Sequence, residues 1–357
     1  MTQYNPFERG PHTAGTRQFS WTDHSRDHEM PVDVWYPTTQ AHAGEDFDPA
    51  KMARYEMVPG FGESAQHAVM NAEPEPGSFP LVIFSRGYGG ERRQSTFFYT
   101  HLASHGYAVA AMDHVGNTTI NMMSGESRTG DLEFMHRFIQ SRPADVSFVI
   151  DQMIAGSAGI EIDANRIGMS GHSFGGWTTL KTLEADQRIK AVVPLAPAGG
   201  KAGDEDDPLS SALTFDWHQP VPALYIVSDL DSILPLSGMH DLYQRNPDPK
   251  VVVILENADH FHFNDDVEAN QDSFKLFMEA AHADADEETR SGLDAMLSLM
   301  KPSTELVPGD HAYALINGLG LSHFDAHLRN NTDAAALLQG DLRALMAARG
   351  ITISLMA

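Results

Sequence analysis

The sequence GHSFG at residues 171–175 constrains this 357-residue chain most, because it separates two contrasting patterns. Residues 166–170 form a short run typical of a buried strand, and residues 174–186 have the pattern of a helix. A G-x-S-x-G sequence between a strand and a helix is typical of a nucleophile elbow, which exposes the serine at the carboxyl edge of a sheet. An ordinary glycine-rich turn can have the same five residues. In this context the motif predicts that Ser173 is a nucleophile.

Two aspartates follow a later strand pattern, where the acid of a serine triad is expected. A serine hydroxyl needs a base to remove its proton, and the base needs an acid to orient it. On sheets of this kind the chain order is serine, acid, histidine. Asp229 and Asp231 follow the apolar run at residues 223–228. We favour Asp231, which the loop can turn back toward a histidine, and keep Asp229 as the alternative.

The base is expected after the next strand pattern, at residues 251–255. His260 follows this run by five residues, and His262 comes two residues later in the sequence HFHF. In an extended segment alternate side chains point to opposite sides, so one of the two faces away from the serine. We assign His260, which is nearer to the strand, as the base. His262 is expected to be a packed or half-exposed loop residue.

Two backbone N–H groups are candidates for an oxyanion hole, which stabilises the negative charge of a tetrahedral intermediate. One is the N–H of Phe174, directly after the nucleophile. The other is the N–H of Tyr88, in the glycine-rich sequence SRGYGG at residues 85–90. The alternative for this loop is phosphate binding, but no Lys-Ser or Lys-Thr pair follows it.

The order of the patterns predicts an α/β fold with a mostly parallel central sheet, helices on both faces and an antiparallel N-terminal hairpin. We expect a single domain over residues 1–357. Insertions are predicted at 38–79, 116–140 and 199–219, and a helical C-terminal part at 266–350. Strands are predicted at 17–22, 31–36, 81–85, 108–112, 166–170, 190–196, 222–228 and 250–255. Helices are predicted at 91–105, 141–155, 174–186, 266–298, 309–329 and 333–348.

Composition excludes several kinds of partner and cofactor. The chain has no cysteine, which excludes a disulfide, a thiolate zinc site and a cysteine nucleophile. Its 18 histidines form no HExxH motif or comparable cluster, and we predict no metal and no cofactor. A formal net charge of −25 excludes nucleic acid as a partner, because phosphate binding needs a basic surface. The acidic runs at residues 204–207 and 284–288 are expected to be solvated surface.

The sequence contains no pattern that predicts a membrane anchor. No apolar run approaches the roughly 20 residues of a membrane-spanning helix. The first thirty residues lack the basic start and apolar core of a signal peptide, so a cytoplasmic location is expected. A homodimer is left open, with the acidic stretch after residue 266 as a candidate contact or lid.

Five short segments resemble the α/β-hydrolases, and most closely the branch of platelet-activating-factor acetylhydrolases and dienelactone-hydrolase-like esterases. These segments are WYP at 35–37, SRGYGG at 85–90, LASHGY at 102–107, RPAD at 142–145 and GHSFGG at 171–176. The resemblance covers about residues 10 to 330, apart from the insertions. Two departures are clear. Arg86 stands where the family usually has histidine, and the cysteine nucleophile of true dienelactone hydrolases is absent.

The resemblance implies a carboxylesterase-type serine hydrolase (EC 3.1.1) that needs no cofactor. The substrate expected is a small ester with a short or medium acyl chain, or an aromatic ester. The alternatives are an acyltransferase with the same triad and a non-catalytic binding protein on a hydrolase scaffold, since a fold does not fix a function.

The substrate pocket is predicted to include Arg86, His172, Met122 and Met123, and its walls are expected to come from the loops around 60–70, 116–140 and 199–219. Both methionines belong to the insertion at 116–140, where Phe134, Met135 and Phe138 accompany them. Such residues can line a flexible apolar site, and they can equally form core beneath the insertion.

Overall fold

The computed structural model describes residues 4–56, 60, 62–126, 132–201 and 207–356. Within these ranges, eleven strands form one sheet with helices on both faces. The strands are β1 (Ala14–Asp23), β2 (His28–Pro37), β3 (Met52–Glu56), β4 (Glu63–Met70), β5 (Ser78–Ser85), β6 (Ala108–Met112), β7 (Glu161–His172), β8 (Ile189–Leu195), β9 (Ala223–Ser228), β10 (Lys250–Leu255) and β11 (Ile353–Leu355).

The helices follow the strands in an alternating order, as the sequence predicts for an α/β fold. They are α1 (Thr96–Ser104), α2 (Thr119–Met123), α3 (Leu132–Ile154), α4 (Phe174–Thr182), α5 (Pro208–Ala212), α6 (Leu236–Arg245), α7 (Val267–Asp284), α8 (Glu287–Leu299), α9 (Gly309–Leu328), α10 (Thr332–Gln339) and α11 (Leu342–Ala347).

The strand order is β11-β10-β9-β8-β7-β5-β6-β2-β1-β4-β3. The six strands from β10 to β6 all pair in parallel. The predicted hairpin of β1 and β2 is antiparallel and joins the sheet through β6. The predicted α/β architecture, a mostly parallel sheet with an antiparallel N-terminal hairpin, is therefore confirmed. Because parallel strands share one carboxyl edge, the loops after β5, β7, β9 and β10 meet there.

Successive residues of β5 pack into two different cores, which explains its continuous apolar run. Leu81 and Ile83 pack on the face covered by α3 and α4. Val82 and Phe84 pack on the opposite face with α1 and α9. Both faces of the central strand are thus dry, and this rigid strand ends at the glycine-rich loop.

The insertion at 38–79 differs from its prediction, which contained no strand. It holds β3 and β4, which pair with each other and extend the sheet beside β1. Gln66 occupies a buried position of β4, where its Oε1 accepts a hydrogen bond of 2.5 Å from the Trp35 indole. This buried amide interrupts the apolar alternation that would have predicted the strand.

The C-terminal part also differs from its prediction. The predicted helix at 333–348 is two helices, because Asp341 caps the N-terminus of α11 through the N–H of Ala344. The predicted stretch at 266–298 is likewise divided where Asp286 caps α8. The chain then adds β11, which was not predicted and pairs antiparallel with β10.

Several other predictions concern only part of an element. Helix α3 starts at Leu132, inside the insertion predicted at 116–140, and continues through Pro143. Helix α1 begins at Thr96 rather than at residue 91. Residues 127–131 and 202–206, which include most of the acidic run at 204–207, lie outside the described residues. None of the described helices has the length and apolar character needed to cross a membrane.

Candidate active site

Ser173 stands at the sharp turn between β7 and α4. Its φ of 58° is positive, and its ψ is −119°. The backbone is fixed in this unfavourable region by hydrogen bonds, since Ser173 N–H donates to Leu195 and its carbonyl accepts from Ala198. A Cβ atom on Gly175 would lie 1.8 Å from the Ser85 carbonyl oxygen. The GHSFG sequence therefore permits an elbow that larger residues would block, and it leaves Ser173 partly exposed.

His260 and Asp231 form a buried pair at the same edge of the sheet. His260 Nδ1 lies 2.8 Å from Asp231 Oδ2. Because a carboxylate only accepts, the Nδ1 atom carries the hydrogen and Nε2 is left to exchange a proton. The other carboxylate oxygen of Asp231 accepts from the N–H groups of Ile233 and Leu234. The acid is thus held on both sides and orients the imidazole.

Asp229, the alternative acid, has a different partner. Its Oδ1 atom accepts a hydrogen bond of 3.3 Å from the N–H of Ala258, in the loop that leads to His260. Of the two aspartates, Asp231 is the one hydrogen-bonded to the His260 ring. The geometry therefore favours Asp231 as the acid and gives Asp229 a bracing contact.

The His260 ring lies beside the elbow. Its centroid is 4.5 Å from the ring of His172, the residue that precedes Ser173. His262 turns away in a short 3₁₀ segment and bonds to the carbonyl of Val307. The segment is not extended, as the expected alternation assumed, but the two histidines still have different partners.

Asp259 is a central residue of the site that sequence reasoning missed. Its Oδ1 atom accepts from the N–H and hydroxyl of Ser232 and from the N–H of His260, at 2.7–2.9 Å. Its Oδ2 atom accepts from the side-chain amide of Gln271 on α7. Asp259 therefore joins the loop of Asp231, the loop of His260 and the acidic helix. Its place beside a predicted base was the signal available.

The glycine-rich loop adjoins the elbow. A Cβ atom on Gly87 would lie 3.5 Å from the Cβ atom of Ser173. Phe174 is the first residue of α4, so its N–H has no acceptor within the helix. The rings of Tyr88 and Phe174 stack at 6.4 Å. Phe174 directly follows the predicted nucleophile, and Tyr88 directly follows the glycine that approaches it.

Arg86 is not at the pocket edge, where the sequence placed it. Its side chain is fully buried behind the glycine-rich loop. The guanidinium donates to the carbonyls of Gly87, His114 and Asn117 at 2.6–2.9 Å. Burial lowers its pKa, and the nearby Asp113 carboxylate opposes that shift. The five donors of arginine suit a cluster of inward carbonyls, so Arg86 supports the loop from below.

A second buried arginine, Arg142 on α3, holds the same loop. It donates to the carbonyls of Arg86 and Gly87 and to the side chain of Asn117. Its guanidinium also lies 4.1 Å from the centre of the Phe174 ring. In the sequence, Arg142 stands out only as part of the RPAD segment, which predicts no role for it. Fixing these carbonyls fixes the peptide planes on which the loop N–H groups lie.

Below the loop, Ser85, His114 and Asp145 form a second buried hydrogen-bond chain. The Ser85 hydroxyl is 2.9 Å from His114 Nε2, and His114 Nδ1 is 2.8 Å from Asp145. Burial lowers the pKa of His114 to about 3, and Arg26 pairs with the far oxygen of Asp145. All three members of this chain are buried, so it supports the end of β5 rather than meeting a substrate.

Of the other three residues predicted for the pocket, His172 is buried and the two methionines are exposed. His172 is buried between the rings of His260 and Phe263, so it is a packing residue of the site rather than a wall. Met122 lies against Gly89 of the glycine-rich loop, and Met123 is 61% exposed. Nearby, Phe134 and Phe138 are buried core, the second of the two alternatives.

A recess of about 190 Å³ opens beside Asp231. It lies between the loops after β8 and β9. Residues of the loop at 199–219, one of the three expected to supply pocket walls, line it, whereas none of the described residues around 60–70 or 116–140 does. Its walls are mainly apolar and include Pro197, Ala198, Leu234, Leu236 and Met239. Because Ala198 donates its N–H to the Ser173 carbonyl, the recess adjoins the elbow.

The described residues contain no group of three or more His, Asp or Glu side chains arranged to hold a metal ion. The groups brought together at the site are a hydroxyl, an imidazole, a carboxylate and backbone N–H groups. These are the parts needed for acyl transfer.

Comparisons with known proteins show the family to which this chain is related. Residues 37–290 match the sequence profile of the PET hydrolase-like family (PETase). Cutinase est1 of Thermobifida alba is 29% identical over 194 residues, covering 52% of this chain and 55% of that protein. Platelet-activating factor acetylhydrolase of Cavia porcellus is 24% identical over 280 residues, covering 66% of this chain and 61% of that protein. The chain thus spans between half and two thirds of the length of these two relatives.

A solved structure shows the same fold. The ferulic acid esterase from Streptomyces cinnamoneus superposes with a TM-score of 0.61 and covers 89% of this chain and 91% of its own. The two sequences are 23% identical, so the likeness concerns the fold alone.

Proposed function

The chain belongs to the PET hydrolase-like family of the α/β-hydrolase superfamily, and we propose that it hydrolyses carboxylic esters through a serine nucleophile. The observation that carries this proposal is the buried hydrogen bond of 2.8 Å between Asp231 and His260, beside the strained elbow of Ser173. Relatives named as cutinases and as a platelet-activating factor acetylhydrolase support the same reaction class.

In the proposed first step, Ser173 Oγ attacks the ester carbonyl carbon while His260 Nε2 takes the hydroxyl proton. The carbonyl π bond opens and its oxygen becomes an oxyanion. Asp231 stabilises the imidazolium that forms and holds the ring in the tautomer that accepts at Nε2. The buried setting of this pair favours its role, because charge interactions are stronger where water is excluded.

The oxyanion is proposed to accept hydrogen bonds from the N–H groups of Phe174 and Tyr88. Support comes from the start of α4 at Phe174, where N–H groups point outward and the helix dipole favours negative charge. The buried Arg86 and Arg142 guanidiniums hold the loop carbonyls from behind. These contacts would keep the donors oriented before the substrate arrives, which is where most electrostatic stabilisation arises.

The intermediate then expels the alkoxide, which takes the proton from His260, and an acyl group remains on Ser173. A water molecule attacks this acyl-enzyme with His260 again acting as base. The carboxylic acid leaves and the serine hydroxyl is restored. The ester and one water molecule are the reactants, and the carboxylic acid and the alcohol are the products that balance them.

The substrate proposed is an ester with a compact acyl group. The recess of about 190 Å³ is smaller than the roughly 300–1,000 Å³ of pockets for drug-sized ligands. Its apolar walls suit a short chain or a single small ring rather than a long fatty acyl chain. A series of p-nitrophenyl esters from acetate to decanoate tests this, and kcat/KM should be highest for the short members.

An active-site probe separates hydrolysis from the two alternatives. A fluorophosphonate should label the wild type once, and Ser173→Ala should remain unlabelled. A non-catalytic binding protein would not react with the probe. An acyltransferase would react, but it would divert most of the acyl group to an added alcohol rather than to water. A predominance of free acid in that competition supports the hydrolase.

Two finer expectations remain proposals of their own. Cell fractionation tests the cytoplasmic location, and light scattering tests the homodimer. In the dimer the exposed Leu276 and Phe277 of α7 would be candidates for the contact.

A further inference from the structure

One buried side chain, Gln94, contacts all three segments of the proposed site. It lies in the turn between β5 and α1 and is 6% exposed. Its backbone is also fixed, because its N–H donates to Glu91 and its carbonyl accepts from the N–H of Asp265. The side chain therefore has a defined position between the glycine-rich loop, the elbow and the histidine loop.

The amide oxygen of Gln94 accepts from the backbone N–H of Gly87 at 2.9 Å. A Cβ atom on Gly90 would lie 2.5 Å from the same oxygen, so the contact depends on glycine there. Since a backbone N–H can only donate, the oxygen must face Gly87 and the NH₂ group must face the other way. The orientation of this amide is thus fixed by its neighbour.

The NH₂ group of Gln94 makes two contacts. It donates to Asn264 Oδ1 at 3.0 Å, just beyond the His260 segment, and it lies 3.2 Å from His172 Nδ1. An amide nitrogen can donate a hydrogen bond but cannot accept one, so Nδ1 of His172 must be the unprotonated atom that accepts. His172 is therefore neutral with its hydrogen on Nε2. Burial and the adjacent His260 both keep the pKa of His172 well below its ordinary value.

The state of His172 matters because its ring lies 4.5 Å from that of His260. In the proposed mechanism His260 becomes a cation in the transition state. A neutral neighbouring ring does not repel that cation, whereas a second imidazolium would repel it and raise its free energy. The electrostatic state of His172 thus bears on the step that forms the oxyanion.

We propose that Gln94 is a positioning residue for the reaction: it holds the glycine-rich loop at Gly87 and keeps His172 neutral, with its hydrogen on Nε2, beside His260. The inference rests on the proposed function of the site. Gln94 touches none of the reacting atoms. It acts through Gly87, His172 and Asn264, so its loss should reduce stabilisation of the transition state more than binding of the substrate.

The test is Gln94→Met, which keeps the length of the side chain and removes its hydrogen bonds. The matched control is Gln66→Met, which removes a buried amide from β4, a strand that takes no part in the site. Turnover of p-nitrophenyl acetate and thermal unfolding are measured for both. Gln94→Met should lower kcat about 10- to 100-fold with KM within about threefold of the wild type. Gln66→Met should lower Tm and keep kcat within about twofold.

A purely structural role predicts the reverse pattern, in which Gln94→Met loses Tm as Gln66→Met does and keeps at least half of the wild-type kcat. That result would overturn the inference. If Gln94→Met does not fold, Gln94→Glu replaces it, since a carboxylate can accept from Gly87 but cannot donate to His172 or Asn264. It should lower kcat about tenfold, and a kcat near that of the wild type would contradict the proposal.

Failure of the proposed function gives a different result. A wild type that neither labels with fluorophosphonate nor hydrolyses p-nitrophenyl acetate removes the reaction itself, and this inference with it. A wild type that labels and hydrolyses, beside a fully active Gln94→Met, removes the role of Gln94 and leaves the proposed function standing.

Discussion

The carboxylate of Asp259 accepts hydrogen bonds from both the N–H and the hydroxyl of Ser232. Ser232 follows Asp231 directly, and Asp259 precedes His260 directly. The pair therefore ties together the two loops that carry the proposed acid and base. The positions of Asp231 and His260 both depend on this joint, which also reaches α7 through Gln271.

Asp259→Ala tests this joint, because it removes four buried hydrogen bonds at once. We expect the free energy of unfolding to fall by about 3 kcal/mol or more and kcat to fall at least tenfold. Asp272→Ala is the matched control, since Asp272 accepts from the N–H and hydroxyl of Ser303 at the surface. Asp272→Ala should lower the free energy of unfolding by about 1 kcal/mol, measured by urea unfolding, and should leave kcat unchanged in an ester assay. Equal effects of the two variants would contradict a special role for Asp259.

Substitution of the two aspartates distinguishes the proposed acid from its competitor. Asp231→Asn should lower kcat on the order of 10³- to 10⁴-fold, because the amide no longer holds His260 in the useful tautomer. Asp229→Asn keeps an acceptor for Ala258 and should cost less than about tenfold. Steady-state kinetics on one ester decides the matter. A larger loss for Asp229→Asn would reverse the assignment.

Gly175→Ala tests the close approach of β5 to the elbow. The added methyl would lie 1.8 Å from the Ser85 carbonyl oxygen, so backbone must move. We expect a loss of several kcal/mol in the free energy of unfolding, or no folded protein at all. Gly292→Ala in α8 is the control, because nothing lies within 4 Å of its added methyl. It should stabilise the chain by up to about 1 kcal/mol. A well-folded and active Gly175→Ala would contradict the described elbow.

Low pH should destabilise the folded chain because it contains buried neutral histidines. His323 is one of them, and substituting it tests its contribution. Burial, together with nearby His327, lowers the pKa of His323 to about 3, against 6.5 for the ordinary side chain. Between these pH values the unfolded chain binds the additional proton, so lowering the pH favours unfolding. The stability advantage of the wild type over His323→Gln should therefore shrink from about pH 6.5 downward, by at most about 1.4 kcal/mol per pH unit. Urea unfolding between pH 8 and pH 4 measures it, and a constant difference would contradict the buried neutral state.

The fold was predictable from the sequence because its central strands are buried on both faces. Such strands are continuous apolar runs, and each of β5, β6, β8, β9 and β10 was recognised in that way. β4 was missed because buried Gln66 is satisfied by Trp35, a contact between residues distant in the chain. β11 was missed because it is three residues long and has no pattern of its own.

Part of the candidate site was also predictable from the sequence, and part of it was not. The positions of Ser173 and His260 after their strands follow from chain order. The direction of the Arg86 side chain does not, because its acceptors at His114 and Asn117 come together only in the folded chain. Likewise, only the folded loop reveals that Asp231 rather than Asp229 meets the imidazole.

The central claim is that Ser173 is an activated nucleophile, and mass spectrometry after fluorophosphonate treatment tests it most directly. The chain contains an internal comparison, since the Ser85 hydroxyl lies 2.9 Å from His114 Nε2 but is buried and inaccessible. We predict a single adduct on Ser173, none on Ser85 and none anywhere in Ser173→Ala. A folded wild type without an adduct, or an adduct that persists in Ser173→Ala, would contradict the account.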